Sequence, residues 1–267
     1  MKIAILGSTG LLGNAVSKYF IESTNHEVVC TFRNKEAVLY PNSIFLDATK
    51  PDFSFLKGFD YVINCIGIIK PFMKDNLRDN IFVNSMFPRD LADHCKKEGI
   101  RLIHITSDCV YSGKDGDYDE DSYHDCLDEY GKSKSLGEPN NCLVLRTSII
   151  GEEIHKNASL ISWCKSMKGK EVNGYVNHIW NGVTTKHYAE ICEQIIKNDL
   201  YKEELYHIFS TTITKHDLLK LIDSRFNLNL TIKPHIDTQY TNRNLTTKKD
   251  LVSKLNIKSI EQQIQEI

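Results

Sequence analysis

The sequence predicts an α/β protein built on a doubly wound parallel sheet, and three observations predict it. Short apolar runs alternate with segments of helical periodicity through the first two-thirds of the 267 residues. Those runs are almost continuously apolar, as strands buried on both faces are. The first of them, "KIAIL", runs into a glycine turn and then a helical pattern, the opening of a Rossmann-type unit. Patterning loosens after Gly151, which predicts a small C-terminal lobe.

The elements follow in order. After "KIAIL", residues Leu11 to Glu22 place Leu12, Val16, Tyr19 and Phe20 at helical spacing. "EVVCTF", a short helix-like piece and "SIFLD" come next, then "FDYVINCIG" as a strand entering a loop. Ile81 to Lys97 reads as a helix with Val83, Leu91 and Ala92 inward, stopped by Gly99. "RLIHIT" is a strand, Tyr130 to Glu138 a short helix closed by Pro139, and "CLVLRTS" a strand. Beyond Gly151, residues 159–168 look helical and "EVNGYVNHIWNGVTT" reads as a polar, aromatic loop. "TTKHYAEICEQIIKN" is an amphipathic helix, and the tail from Leu205 mixes short strands with a helix from Lys215 to Arg225. The expected division is a core of residues 1–150 and 184–204, and a lobe of 151–183 and 205–267.

Composition excludes several classes. A net charge of −2 offers no basic excess for nucleic acid. No apolar run approaches the roughly 18 residues a membrane span needs. The opening residues look like a strand rather than a signal peptide. Eight scattered cysteines, without a CxxC pair, fit buried thiols in a reducing cytoplasm and no metal site. Cys30, Cys65 and Cys142 lie inside apolar runs.

"ILGSTGLLGNA" sets Gly7, Gly10 and Gly13 between strand and helix. Such a turn lets the backbone approach a pyrophosphate at a helix N-terminus. Thr9, Leu11 and Leu12 share the turn and are candidate cofactor contacts. About twenty residues past Gly13, where an acid would favour NAD, stands Arg33, which suits a 2′-phosphate. NADPH is therefore the expected cofactor. Asp47, after the third strand, is either an adenine contact or a turn cap.

"RLIHI" ends in Thr106-Ser107-Asp108-Cys109, and the carboxyl ends of such strands are where ligands bind. In "DEYGKSKSLGE", Tyr130 and Lys134 stand four apart on one helix face. A phenol is a usable acid at neutral pH, and a nearby ammonium favours its phenolate. Proton donation from a tyrosine to a ketone, while a nicotinamide delivers hydride, is coherent chemistry.

Together, Gly7-Gly10-Gly13, Ser107 and Tyr130-x-x-x-Lys134 resemble an extended short-chain dehydrogenase/reductase. More narrowly, "VNSMFPRDLADHC", "IHITSDCVYSGKDGDYDED", "YGKSKSLGE" and "LRTSIIG" resemble the dTDP-4-dehydrorhamnose reductase family of nucleotide-sugar 4-ketoreductases. The resemblance implies a triad in which Ser107 holds the carbonyl, Tyr130 protonates it, and Lys134 tunes Tyr130 and binds the nicotinamide ribose. It implies that Asn84 lies near the site and that Cys65, Ile66 and Gly67 pass under the cofactor. The core would hold NADP and the lobe a UDP-, dTDP- or GDP-linked sugar, in a homodimer if the family habit holds.

Cys109 departs from the tyrosine usual in rhamnose-type reductases and resembles the thiol of bifunctional epimerase/reductases. There it would deprotonate carbon beside the 4-keto group, with His178 or Lys165 as the second acid/base. The alternative is a small residue filling a site wall. "NHIWNGVTTKHYAEI" resembles the family's sugar-bordering loop, with Val183 in place of its proline. Trp180 could stack on sugar or base, or pack the lobes together. Asp108 is a candidate substrate contact, and Arg146 and Arg243 are candidates for the diphosphate. The expected activity is NADPH-dependent reduction of a nucleotide-linked 4-keto-6-deoxy sugar, with or without epimerisation at C3 or C5. The alternatives are an epimerase or dehydratase with held NAD(P), and a non-catalytic NADP-binding regulator.

Overall fold

Alternation along the first strand sets the layers. In β1 (Lys2–Leu6), Ile3 and Ile5 point to one side of the sheet and Ala4 and Leu6 to the other. The computed structural model describes residues 1–154 and 158–267. β1 is followed by α1 (Leu11–Ser23), β2 (Glu27–Phe32), β3 (Ser43–Phe45), β4 (Tyr61–Asn64), α2 (Leu77–Glu98), β5 (Arg101–Ser107), α3 (Glu129–Leu136) and β6 (Leu143–Thr147). Then come β7 (Ile149–Ile150), α4 (Leu160–Ser166), β8 (Glu171–Tyr175), β9 (His178–Trp180), β10 (Val183–Thr184) and α5 (Thr185–Lys197). The tail carries β11 (Leu205–His207), β12 (Ile213–Thr214), α6 (Lys215–Phe226), β13 (Thr231–His235), β14 (Thr241–Asn242), α7 (Leu251–Lys254) and α8 (Ile260–Gln265).

The main sheet runs β11-β6-β5-β4-β1-β2-β3, every pair parallel. Its 3-2-1-4-5-6 portion is the doubly wound order, and the strand order reverses between β1 and β4. α1 and α5 bury Val16, Phe20, Ile191 and Ile195 against one face. α2 buries Val83, Phe87 and Leu91 against the other and ends at Gly99 in a left-handed cap with φ 71°.

Two expectations change. "EVNGYVNHIWNGVTT" is not a loop: it forms β8, β9 and β10. Their partners (β13 for β8, β12 and β14 for β9, β7 for β10) come from distant parts of the chain. Pairing therefore overrides weak local patterning. Leu205–His207, expected in the lobe, extends the main sheet beside β6. The lobe's own core packs α4, α6 and α8 through Ile161, Cys164, Leu218, Ile222 and Ile260, with Trp180 at its edge. No helix among the described residues is long and apolar enough to cross a membrane.

Candidate active site

A cavity of about 610 Å³ opens at the β1/β4 reversal, between the strand ends and the lobe. Its floor starts at the glycine turn. Gly7 adopts φ +85° and its N–H donates to Thr31 Oγ1 at 2.9 Å. A Cβ at Gly13 would stand 2.0 Å from Gly7 O, so only glycine lets α1 come this close. Gly10 caps α1 without a side chain, and no acid stands in the first turn. Gly10, Leu11 and Leu12 line the cavity, as do Cys65, Ile66 and Gly67 from the β4 loop. A bare helix N-terminus facing a cavity fits a dinucleotide's pyrophosphate. Thr9 sits half-buried in the turn.

Asn84 is buried beneath this floor. Its Oδ1 accepts from Ile68 N–H at 2.8 Å, and its Nδ2 donates to Ile68 O at 2.9 Å and to Ser133 Oγ at 3.1 Å. It is a positioning residue that ties the β4 loop to α3. At the other end of the turn, Arg33 is exposed, and its charge helps hold the Asp47 carboxyl down. The larger causes there are the Thr49 N–H and hydroxyl, at 2.9 and 2.8 Å from Asp47 Oδ1. Asp47 caps its own turn.

The predicted triad meets at the cavity. Ser107 ends β5; its Oγ accepts from Cys109 N–H at 3.1 Å and donates to Asp108 Oδ1 at 3.2 Å. Tyr130 and Lys134 stand one turn apart on α3, and both line the cavity with Ser107. Gly131 lets α3 lie there, since a Cβ would be 2.4 Å from Cys109 O. Asp128 caps α3 by accepting from Gly131 N–H at 2.9 Å and from Lys70 Nζ at 2.9 Å. Lys134 is 5% exposed; its Nζ donates to Ile105 O at 3.1 Å, and burial pulls its pKa down to about 8.

Burial pushes the Tyr130 phenol up, the Cys109 and Asp108 charges add to this, and the Ser107 hydroxyl opposes it. Lys134 Nζ bonds to Ile105 O, one turn along α3 from the phenol. Tyr130 is therefore protonated at neutral pH, the form a proton donor needs, while burial also makes that proton harder to give up. Cys109 is pushed up to about 12, by burial first and by the Asp108 charge second. Its thiol stays protonated at neutral pH, which suits a cavity wall better than a base. Burial also raises the pKa of Asp108, against the pull of Arg243.

Four residues lie elsewhere than expected. Arg146 is 2% exposed in β6, with Nε 3.0 Å and Nη2 2.6 Å from the two Glu138 carboxylate oxygens. Its Nη1 meets His207 Nε2 at 2.9 Å and donates to Tyr111 OH. This guanidinium is saturated inside the protein and is not available to a diphosphate. His178 pairs with Asp237 at 2.9 Å and stacks on Tyr175, outside the cavity lining. Lys165 is paired with Glu152 and sits 4.3 Å over the Phe226 ring. Neither faces Cys109 as a second acid/base. Arg243 stands behind the wall, donating to Tyr111 O at 3.2 Å and Ser112 O at 3.3 Å. Trp180 does line the cavity, and it also packs in the lobe's core.

Lys215 was missed. It lines the cavity from the lobe as the first residue of α6. A cation at a helix N-terminus opposes the helix dipole, and that was the available signal.

Fold and cleft define a class: a Rossmann-type α/β protein whose lobe closes over the carboxyl ends of a parallel sheet. The chain belongs to the family described as RmlD substrate binding domain, whose model matches residues 1–266. It is similar to "Methionine adenosyltransferase 2 subunit beta" of Xenopus tropicalis, 28% identical over 84% of this chain and 72% of that protein. It is also similar to "Probable low-salt glycan biosynthesis reductase Agl14" of Haloferax volcanii, 30% identical over 55% of this chain and 52% of that one. A dTDP-4-dehydrorhamnose reductase from Bacillus anthracis, solved in complex with NADP, shares the fold. Its TM-score is 0.78 at 18% identity, over 99% of this chain and 97% of that chain.

Proposed function

We propose that the protein is an NADPH-dependent reductase acting on the C4 keto group of a nucleotide-linked 4-keto-6-deoxy sugar. The observation that carries this reading is the meeting of Ser107, Tyr130 and Lys134 with an uncapped glycine turn around one cavity. Reduced nicotinamide, when bound, supplies the hydride. The chain supplies the rest. Ser107 Oγ turns its hydrogen from Asp108 to the ketone oxygen, and Tyr130, kept protonated by burial, gives that oxygen its proton. Lys134 stays near the ribose end, anchored on Ile105 O. Gly10, Leu11 and Leu12 present backbone to the pyrophosphate. Exposed Arg33 favours the 2′-phosphate, and the NADP complex of the Bacillus anthracis reductase supports that choice. Cys109 is read as wall, so reduction proceeds without epimerisation.

The test supplies NADPH and a panel of 4-keto-6-deoxy sugars on UDP, dTDP and GDP, and follows absorbance at about 340 nm, where the reduced nicotinamide of this chemistry absorbs. Oxidation with one of them is expected, and Tyr130→Phe should lose about 10²- to 10⁴-fold in turnover while binding NADPH normally. No oxidation with any sugar overturns the reading. One comparison favours a second reading, that the chain is an NADP-binding accessory subunit, because several similar proteins carry a subunit's name. NADPH binding without turnover of any sugar supports that alternative.

A further inference from the structure

The lobe side of the cavity carries a charge that no protein group meets at contact distance. Lys215 is half-buried and lines the cavity that Ser107, Asp108 and Cys109 line from the other side. Among the described residues its ammonium makes no hydrogen bond and no ion pair. Three N–H donors are thus left without a protein acceptor. Its place is unfavourable as well, in the first turn of the 12-residue α6, where the helix dipole repels a cation. That helix end is already closed by Thr214, whose Oγ1 accepts from Asp217 N–H at 3.1 Å and donates to Asp217 Oδ2 at 2.8 Å.

The carboxylates nearby are committed elsewhere. Asp108 is 3% exposed and accepts from Ser107, and burial drives it toward its neutral form. Glu153, also on the lining, accepts from the Ala158 and Ser159 N–H groups at 2.8 Å each. Arg243 adds a second positive charge behind Asp108 and Cys109. Among the described residues Asp108 favours the Lys215 ammonium only through space, without contact, and a partly buried ammonium with no contact partner is costly.

We propose that Lys215 is a specificity-determining residue whose ammonium binds an oxyanion of the nucleotide-sugar substrate. This rests on the functional reading above. The oxyanion comes from the diphosphate or from a carboxylate on the sugar ring, and both accept charge-assisted hydrogen bonds from an ammonium.

Calorimetry at low salt, with NADP+ present, tests this on the full chain. The ligands are UDP, dTDP and GDP, their glucose esters, and UDP-glucuronic acid. Lys215→Met is expected to lose about ten- to hundredfold in affinity for the ligand that supplies the oxyanion, with Lys215→Arg retaining most of it. Equal losses for a nucleoside diphosphate and its glucose ester identify the diphosphate. A loss confined to UDP-glucuronic acid identifies the carboxylate. The melting temperature of Lys215→Met should equal or exceed that of the wild type, because a partly desolvated charge without a contact partner is gone. Wild-type-like affinity in Lys215→Met, or a lowered melting temperature with unchanged affinity, overturns the proposal alone. A wild type that binds none of these ligands overturns the functional reading and this proposal together.

Discussion

Replacing Gly10 with alanine separates cofactor binding from stability. Gly10 has φ −85° and ψ 169°, ordinary extended backbone that alanine adopts without strain. An added Cβ meets only Gly7 O, at 3.4 Å. The less flexible unfolded chain gains about 0.4–1 kcal/mol, but alanine is a poorer N-cap than glycine by a similar amount, so the two offset. At about 2–4 °C per kcal/mol for a domain of this size, the melting temperature should stay within roughly 4 °C of the wild type. Binding should fall, because that methyl sits on the cavity side at the start of α1, where the pyrophosphate would meet backbone N–H groups. Displacing one charge-assisted bond of about 1.5–3 kcal/mol weakens NADPH about ten- to hundredfold. Fluorescence titration with NADPH and a thermal melt read the two effects on one sample. Wild-type affinity in a folded Gly10→Ala protein would refute the pyrophosphate site. Gly13→Ala is the contrast: its Cβ would stand 2.0 Å from Gly7 O and 2.6 Å from Gly7 C, backbone that cannot swing aside. It should lose about 1–3 kcal/mol or more and NADPH affinity together.

Other outcomes follow from the same geometry. Lys134 titrates near 8 in the folded protein against an ordinary 10.5, so the unfolded chain binds more protons between those values. Wild-type stability should thus rise with pH across that window, and the cost is fully present below it. Lys134→Met should abolish turnover yet stabilise at neutral pH by up to about 3 kcal/mol, the gain fading toward pH 10.5; chemical denaturation across pH checks this. Glu138→Gln leaves the buried Arg146 guanidinium short of its partner and should cost about 3–5 kcal/mol. NADPH affinity, measured alongside the melt, should not move. Cys109→Ala should keep reduction, and wild type turned over in D₂O should place no solvent deuterium on carbon beside the ketone. Deuterium that enters with wild type and not with Cys109→Ala would make the thiol a base after all.

The sequence by itself determined the local elements and the residue types that meet at the cavity. Periodicity located β1, α1 and α2, and Gly99 marked the end of α2, because burial of one face and a left-handed cap are local facts. The glycine turn, Ser107 and the Tyr130–Lys134 spacing were legible for the same reason, each lying within a few residues of the element that aims it. Only the tertiary structure decided where the charges go. Arg146 looked free on a strand, yet it faces Glu138 and His207, which α3's end and β11 bring to it. His178 and Lys165 found carboxylates of their own, while Lys215 was carried by the lobe to the cavity. A sequence encodes which face of an element is buried, but the partner of a charge is set by long-range packing, which local pattern does not contain.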